Sequence, residues 1–465
     1  MKKIIALAAG LAMLAPAAPD LHLFAGQLAS RSSRGAAGDT LALSLEESVR
    51  LAVANNTDIR VMREKVSEAG AATAEARTAF LPQLTGSAGY TRLDTAPYIP
   101  ASRLRMFGGS GSTADGAVPD RITIGLRDNY AASLELRQPL FAAGRIKNTY
   151  DISKLARSAS ESELDRTTAE LVFETKKAYL KCIEAQELEQ VARETLKQLD
   201  AHLGDLQAMF DAGLAATNDV LKTKVYHSDA RLALIKAQHA IHLARNNLAS
   251  IIDVPLATEI ILTSRADIPP GITIDLDAAV KAGVARRPEL ASMACRRLMA
   301  QKEIEVDRNG YLPTVAFFAR LGYQYPDREY ERDFYSSWAL GVTAQMNVFD
   351  WGATVFRTQR SKSRLRQIEL AAQSVREAIT LDVTRTYLTL LDAWNGVGVA
   401  RENVAQAEEN YRVTNEKFKE GLATNTDLLD AEVLLTAAKT SCENLVIAYL
   451  IARADLERAT GGMDT

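Results

Sequence analysis

Two short stretches of this sequence are copies of one another: Phe210-Asp-Ala-Gly-Leu-Ala-Ala-Thr-Asn-Asp-Val-Leu221 and Phe418-Lys-Glu-Gly-Leu-Ala-Thr-Asn-Thr-Asp-Leu-Leu429. Each stretch follows a very long helical pattern and precedes a shorter one. Gly213 and Gly421 stand where the first helix must end, because glycine adopts the left-handed backbone conformation without a Cβ clash. Each stretch is therefore predicted to be the tip of a helical hairpin.

The residues after each glycine predict the start of the next helix. The candidate N-caps are Thr217 or Asn218 in the first tip and Thr424 or Asn425 in the second. Their side-chain oxygens can accept hydrogen bonds from first-turn N–H groups. Asp219 and Asp427 then fall in the first helical turn, where the helix dipole stabilises a carboxylate.

The two tips belong to a tandem duplication. Three matches share an offset of 208 residues: Phe141…Gly144 with Phe349…Gly352, Tyr179-Leu180 with Tyr387-Leu388, and Gly213-Leu214 with Gly421-Leu422. Two earlier matches share an offset of 231: Leu45…Val49 with Leu276…Val280, and Phe80-Leu-Pro82 with Tyr311-Leu-Pro313. The first copy therefore carries 23 extra residues, the difference between 231 and 208. They fall around residues 97–119, where Gly, Ser and Pro predict an exposed loop.

Each copy contains two segments in which apolar and polar residues alternate. In the second copy the apolar positions are Val315, Phe317, Ala319, Leu321, Tyr323 and Tyr325, and then Trp338, Leu340, Val342, Ala344, Met346 and Val348. This alternation predicts strands with one apolar and one polar face, long enough to cross a bilayer. The predicted strands are residues 83–95 and 122–138 in the first copy, and 314–326 and 337–348 in the second.

Apolar residues at every seventh position predict two very long helices, 144–210 and 352–418. A sustained spacing of seven favours coiled-coil packing. Four further helices are predicted at 45–80, 217–252, 276–311 and 425–460, each about half as long. The tips are residues 211–217 and 419–425, a linker spans 256–275, and 462–465 form a tail. Two short helices stacked end to end match the length of one long helix.

The N-terminus is typical of a secretory signal peptide, residues 1–17. A charged start precedes an apolar run too short to span a bilayer, and Ala15-Pro-Ala17 offers small residues for cleavage. No Cys lies near this site, so the mature chain is predicted to be exported and not lipidated. The two copies then occupy residues 18–255 and 276–461.

Composition and motifs argue against several functions. The net charge of −3 argues against nucleic acid as a partner. The sequence has no GxSxG, Walker lysine or HExxH motif, so no catalysis and no cofactor are expected. His239 and His242 lack a third ligand nearby, so no metal site is predicted.

The predicted strands require association if they cross a membrane. Four strands per chain cannot close a barrel, and lipid does not tolerate an open sheet edge. Two chains would supply eight strands and three chains twelve, and the periodicity of the sequence leaves both numbers open. An alternative is a soluble periplasmic coiled-coil scaffold or adaptor, whose strands would build a small sandwich.

This ordered set of features resembles the TolC family of outer-membrane efflux proteins. The resemblance rests on the helix ends Phe80-Leu-Pro82 and Tyr311-Leu-Pro313, on Gln138-Pro-Leu-Phe141 opening a long helix, and on both Gly-Leu tips with an Asp six residues after the Gly. It implies a mainly α fold with a β-barrel part. Three chains would form a 12-stranded barrel in the outer membrane that continues into a long α-helical coiled-coil barrel in the periplasm.

The resemblance also implies a function and partners. The homotrimer would be the passive exit duct of a tripartite efflux or type I secretion system, in contact with outer-membrane lipid. It would work with a periplasmic adaptor (membrane fusion protein) and an inner-membrane pump of the RND, MFS or ABC type. The helical tips would gate the periplasmic entrance.

Family site residues carry over to the tips. Asp427 and Asp430 correspond to the acidic ring at the entrance, and Asp219 to a first-copy aspartate that helps to close it. The adaptor-contact positions correspond to Gly213, Leu214, Gly421 and Leu422. Where the protein that gives the family its name has a Tyr and an Arg that lock the closed state, this chain has Phe418 and Ala423, so closure is expected to rest on packing and carboxylates.

The residues themselves leave the aspartates open between two roles. Asp219 and Asp427 are also explained as first-turn helix carboxylates. Asp430 has Lys222 as its counterpart in the first copy, 208 residues earlier. A shared capping geometry therefore does not require a carboxylate at position 430, which makes Asp430 the better candidate for an entrance ring.

Overall fold

A computed structural model describes residues 40–100, 103, 121–264, 275–327 and 332–462. The predicted signal peptide lies outside these residues. So do residues 463–465 of the predicted tail, 265–274 of the linker and most of the insertion in the first copy.

The first copy contains five strands and four helices in its described part. They are β1 Thr40–Leu43, α1 Leu45–Asn55, α2 Thr57–Thr78, β2 Gln83–Arg92, β3 Tyr98–Pro100, β4 Arg121–Thr123, β5 Asp128–Phe141, α3 Arg145–Asp211 and α4 Thr217–Ile251. The described second copy repeats the plan. Its elements are β6 Glu259–Leu262, α5 Leu276–Arg286, α6 Pro288–Arg308, a 3-10 turn Asn309–Tyr311, β7 Thr314–Tyr325, β8 Tyr335–Gln345, α7 Ala353–Lys419 and α8 Asn425–Ala459.

The two helices predicted as unbroken over 45–80 and 276–311 are each interrupted, so that prediction was wrong. Asn56 ends α1 and caps α2, since its side-chain oxygen accepts from the N–H groups of Asp58 at 2.9 Å and Ile59 at 3.4 Å. Arg287 is extended because it precedes Pro288, whose ring disfavours a helical conformation in the residue before it. The interruptions separate a short helix from a longer one in each copy.

Strand boundaries also differ from the prediction in the first copy. The segment 138–141, predicted to open a helix, forms the end of β5, because it pairs with β7 across a bulge between Pro139 and Phe141. Part of the predicted loop forms a hairpin, since β3 pairs with β4. The strand predicted over 122–138 is therefore β4 followed by β5.

A further pair of strands escaped the sequence analysis. β1 and β6 pair in parallel, with Leu41 beside Ile260. β6 lies inside the segment predicted as a linker, and four residues are too few to show a period. The hydroxyl of Tyr179 in α3 forms hydrogen bonds at the end of this strand pair. It donates to the carbonyl of Leu43 at 3.0 Å and accepts from the N–H of Ser264 at 3.1 Å.

The main sheet is antiparallel, in the order β2-β5-β7-β8, so strands from both copies form one surface. Its register places apolar side chains opposite one another, as in the row Leu134, Leu321 and Trp338. The other face is polar: Arg320 forms an ion pair with Glu135, and the Ser87 and Ser133 hydroxyls lie 2.8 Å apart. Within the described chain, β2 and β8 each have one unpaired edge.

The long helices bury the positions that recur every seven residues. In α3 these include Ala178, Ala185, Leu199 and Leu206, and in α7 Val383, Leu390, Val397 and Phe418. α3 packs against α2 and α6 on the sheet side and against α4 on the tip side. α7 packs against α5 and α6 on the sheet side and against α8. The short helices thus stack along the continuous ones.

Gly283 of α5 marks a close approach between helices. A Cβ there would lie 2.9 Å from Cγ2 of Val383 and 3.1 Å from the carbonyl oxygen of Ala459. We expect Gly283→Ala to destabilise the helical part by about 1–3 kcal/mol through overpacking. Thermal unfolding followed by circular dichroism measures this.

Gly204 of α3 offers a matched control. It is exposed, and no atom lies within 4 Å of the Cβ that alanine would add. Gly204→Ala should stabilise the helix by up to about 1 kcal/mol. Equal effects of the two substitutions would contradict the close packing at Gly283.

Candidate functional site at the helical tips

The two tips have the predicted backbone. Gly213 and Gly421 have φ angles of +76° and +75°, which confirms the left-handed conformation proposed for both. The N–H groups of Leu214 and Leu422 donate back to the carbonyls of Met209 and Lys417, each at 2.8 Å, which closes the helix end. Leu214 and Leu422 project from the tips with 75% and 72% of their surface exposed.

The start of the following helix differs between the copies. In the second copy Thr424 is the N-cap, and its hydroxyl oxygen accepts from the N–H of Asp427 at 3.2 Å. In the first copy the equivalent residue is Ala216, and no side chain caps α4. The prediction that Thr217 or Asn218 caps this helix was therefore wrong, because both lie one or two residues inside it.

The predicted acidic residues have different surroundings. The Asp427 carboxylate accepts from the N–H of Thr424 at 2.8 Å and from its hydroxyl at 2.7 Å, and these bonds lower the pKa of Asp427. Asp430 is exposed, and its carboxylate has no hydrogen-bond or ion-pair partner among the described residues. Asp219 is half-buried at the start of α4. Of the three carboxylates, that of Asp430 is thus exposed and also lacks a hydrogen-bond or ion-pair partner among the described residues.

Phe418 lies inside the protomer. It is 6% exposed and packs with Leu206, Val220 and Leu428, which belong to α3, α4 and α8. Its ring meets the ring of His202 edge-on, with centroids 5.0 Å apart. Ala423 packs at the border of the same cluster. The tip therefore has an apolar core that joins the hairpin α3–α4 to the hairpin α7–α8.

A buried polar network crosses between these hairpins beside Phe418. The side-chain oxygen of Asn425 lies 2.7 Å from Nε2 of His202 and accepts from the hydroxyl of Thr223 at 3.3 Å. Its amide donates to the backbone carbonyl of Asp219 at 3.3 Å. His202, Thr223 and Asn425 are all buried, and burial lowers the pKa of His202. At the surface, Lys222 donates to the hydroxyl of Thr426 at 3.0 Å.

The sequence analysis missed His202 and Thr223 and considered Asn425 only as a cap. One signal was present in the sequence. His202 follows the heptad position Leu199 by three residues and precedes Leu206 by four, and these spacings put all three residues on the same face of the helix. Its partner, however, is 223 residues away in the chain. Only the packing of the two hairpins identifies it.

A buried carboxyl lies about two turns beyond Asn425 along α8. Glu432 is 5% exposed, shares a hydrogen bond with Tyr411 of α7, and has its Oε1 without a partner among the described residues. Burial raises the pKa of Glu432 to about 7 and that of Tyr411 to about 12. Close to neutral pH, a negative charge can therefore appear inside the α7–α8 contact.

Known proteins match nearly the whole chain. The family described as outer membrane efflux protein matches residues 49–253 and 281–462. Among the relatives, the pyoverdine export outer membrane protein OpmQ of Pseudomonas aeruginosa is 24% identical over 90% of this chain and 85% of its own length. The alkaline protease secretion protein AprF of the same species is 24% identical over 72% of this chain and 70% of its own.

Solved structures share the fold. The outer membrane protein VceC of Vibrio cholerae superposes with a TM-score of 0.71 at 16% identity, over 90% of this chain and 97% of that chain. Neither the family nor these relatives favour the soluble scaffold considered from the sequence.

The raised pKa of Glu432 generates a prediction. An unfolded Glu titrates near 4.5, so the folded chain holds this proton more tightly, and stability falls as pH rises from about 4.5 to about 7. Glu432→Gln cannot ionise, so it should lack this loss, which amounts to at most about 3 kcal/mol. Unfolding midpoints at pH 5 and pH 8 measure the difference.

The control is Glu420→Gln at an exposed position of the same hairpin. It should keep the pH dependence of the wild type. A Glu432→Gln protein that loses as much stability as the wild type between pH 5 and pH 8 would rule out the buried carboxyl as the cause.

Proposed function

Because the chain belongs to the outer membrane efflux protein family, we propose that it is the outer-membrane channel of a tripartite efflux or type I secretion system. It would conduct small molecules or proteins passively from the periplasm to the exterior. The chain would reach the outer membrane by its signal peptide, cleaved near Ala17, without lipidation.

The observation that carries this proposal is the two-faced sheet. Across the four strands one face carries most of the large apolar side chains, and Phe318 lies on the opposite face with Arg137 and Gly341. The apolar rows include Leu84 with Leu136, Leu136 with Ala319, Ala319 with Leu340, and Phe317 with Val342. A sheet of strands 10–14 residues long, apolar outside and polar inside, suits the wall of a water-filled barrel in lipid.

The open edges of β2 and β8 support an oligomer. Every strand edge in lipid must be paired, so β8 of one chain would pair with β2 of the next chain until the ring closes. We propose a homotrimer, which pools twelve strands.

The helices would form the periplasmic part and meet the partners. The exposed Leu214 and Leu422 at the hairpin tips suit contact with a periplasmic adaptor, together with Gly213 and Gly421. An inner-membrane pump of the RND, MFS or ABC type would supply the energy.

The buried contact at the tips would hold the entrance closed. Phe418 and the network around Asn425 attach α7–α8 to α3–α4. Moving the hairpins apart would expose Phe418 and separate Asn425 from His202 and Thr223. The closed state would thus depend on packing and on neutral hydrogen bonds within each protomer.

A ring of carboxylates would line the closed entrance. Three chains would each supply Asp427 and Asp430, six carboxylates in all, and Asp219 would lie close to the same level. Because Asp427 is engaged in its helix cap, Asp430 would set most of the selectivity for cations.

The channel and its gate are tested together in planar bilayers. The wild-type chain should insert as a trimer and conduct mostly in a closed, low-conductance state. Asn425→Ala leaves the buried ring of His202 without its hydrogen-bond partner in the closed state, at a cost of about 1–3 kcal/mol, while the Thr223 hydroxyl still donates to the carbonyl of Asp219 at 2.9 Å. It should therefore raise the open-to-closed ratio at least about fivefold.

Thr217→Ala is the matched control, since Thr217 occupies the position equivalent to Asn425 in the first copy and is exposed. Its gating should equal that of the wild type. If neither the wild type nor Asn425→Ala conducts, the chain is not a channel; if both conduct alike, Asn425 does not hold the gate.

Asp430→Asn tests the carboxylate ring. We expect the preference for cations to fall about fivefold, the effect of one charge at about 4 Å in water. Asp427→Asn should change selectivity less and lower the stability of the α8 start instead. Reversal potentials in a salt gradient measure both, and unchanged selectivity in Asp430→Asn would exclude Asp430 from the ring.

A further inference from the structure

The junction between β8 and α7 presents two aromatic rings that the described chain leaves uncovered. Phe349 is 71% exposed and Trp351 is 87% exposed, and their rings meet with centroids 4.9 Å apart. Trp351 also has a φ of +53°, in the left-handed region that bulky residues rarely adopt. Burial within the chain does not compensate for this strain, so the ring is placed there for another reason.

The duplication shows that the fold does not need this tryptophan. The equivalent junction of the first copy has Ala143 with φ +50° followed by Gly144 with φ +74°. The second has Trp351 with φ +53° and Gly352 with φ +81°. The backbone is the same, but Ala143 is buried and Trp351 is not. The aromatic side chain therefore belongs to the function of the second copy.

The exposed rings continue the apolar face of β8. On that strand Trp338, Leu340 and Val342 are all more than half exposed, and Met346 and Val348 extend the row towards Phe349. If this face lies against acyl chains, as the proposed function requires, Phe349 and Trp351 lie where the strand leaves the membrane. Tryptophan favours this interfacial level, because its ring is apolar and its N–H is polar.

The helix that follows is strongly basic. Residues 351–368 include five basic side chains and no acidic one. These are Arg357, Arg360, Lys362, Arg364 and Arg366, and all are exposed. Arg357 and Arg360 form no salt bridge with any residue that the structure describes. They follow Trp351 by six and nine residues, about 9 and 14 Å along a helix, so a long side chain brings both charges near the interface.

The described acidic groups near this surface form no salt bridge with Arg357 or Arg360. Glu303 and Asp307 line a groove with Arg360 but bond to Arg364 and Ser361 instead. The Asp350 carboxylate accepts from the N–H groups of Gly352 at 3.1 Å and Thr354 at 2.9 Å, and from the Thr354 hydroxyl. In the first copy the positions of Arg357 and Arg360 are occupied by Thr149 and Ile152. Arginine at these two positions, like the tryptophan, thus occurs only in the second copy, whereas the first copy carries Arg145, Lys147, Lys154 and Arg157 over the equivalent stretch.

We propose that Phe349, Trp351, Arg357 and Arg360 form a binding site for an anionic phospholipid of the bilayer around the barrel. The aromatic rings lie at the level of the glycerol backbone, and the guanidinium groups bind the phosphate with paired N–H donors. Net negative charge of the headgroup complements the basic turns of α7. This inference rests on the proposed membrane channel.

The three tryptophans of the chain make a direct test possible. Trp394 packs on Tyr449 inside the helical part and is removed by Trp394→Phe. Adding Trp338→Phe leaves Trp351 as the only tryptophan, and adding Trp351→Phe leaves Trp338. Each full-length chain is reconstituted into vesicles of phosphatidylcholine and phosphatidylglycerol, with bromine on the acyl chains of one lipid or the other. Bromine quenches a tryptophan that the lipid touches.

We expect brominated phosphatidylglycerol to quench Trp351 at least about five times as strongly as brominated phosphatidylcholine does. One cation near an anionic lipid surface is enough for a preference of this size. Arg357→Gln with Arg360→Gln should abolish the preference. The matched control is Arg366→Gln with Arg376→Gln, which removes two exposed charges roughly 22 Å or more from Trp351 along α7 and should preserve it.

Equal quenching of Trp351 by the two lipids, or a preference that survives Arg357→Gln with Arg360→Gln, would overturn the site. So would a Trp351 that neither lipid quenches while Trp338 is quenched, which would place another copy of the chain over the junction. If Trp338 is also unquenched in both vesicles, the barrel itself, and with it the proposed function, is refuted.

Discussion

Everything in this architecture depends on the pairing of backbone N–H and C=O groups in the four-stranded sheet. Its faces are sorted by register into apolar and polar, as a membrane barrel requires, yet β2 and β8 each keep an unpaired edge. An unpaired edge in hydrocarbon is costly enough to forbid a lone chain in the membrane. Association would therefore be a condition of the proposed membrane insertion, and the long helices would follow the symmetry of the closed sheet.

The duplication is built into this sheet. β5 of the first copy pairs with β7 of the second over most of its length, so the four-stranded sheet needs two strands from each copy. In the helical part, α3 and α7 play equivalent roles, each with short helices stacked along it. The same backbone thus occurs twice in one chain, and each position has an internal comparison.

That comparison separates the requirements of the fold from those of function. Both tips need a left-handed glycine, and both have one. By contrast, the position occupied by Thr424 is Ala216 in the first copy, that of Asp430 is Lys222, and that of Trp351 is Ala143. These differences occur at the proposed entrance and at the proposed membrane junction.

Patterns within the sequence determined the features that arise locally: the glycine-ended tips, the alternating strands and the seven-residue seams of α3 and α7. They did so because a left-handed turn, a period of two and a period of seven each depend on neighbouring residues. They also located Asp427, Asp430 and Phe418 at the tips. The roles of these residues at the entrance stay predictions.

Only the tertiary structure decided which distant groups meet. It placed Phe418 in a core between hairpins, paired Asn425 with His202 across 223 residues, and joined β1 to β6. It also extended β5 to Phe141 by pairing it with β7, although the local pattern favoured a helix start. A sequence pattern records how each segment repeats but not which segment packs beside it, and burial and cross-chain hydrogen bonds depend on that neighbour.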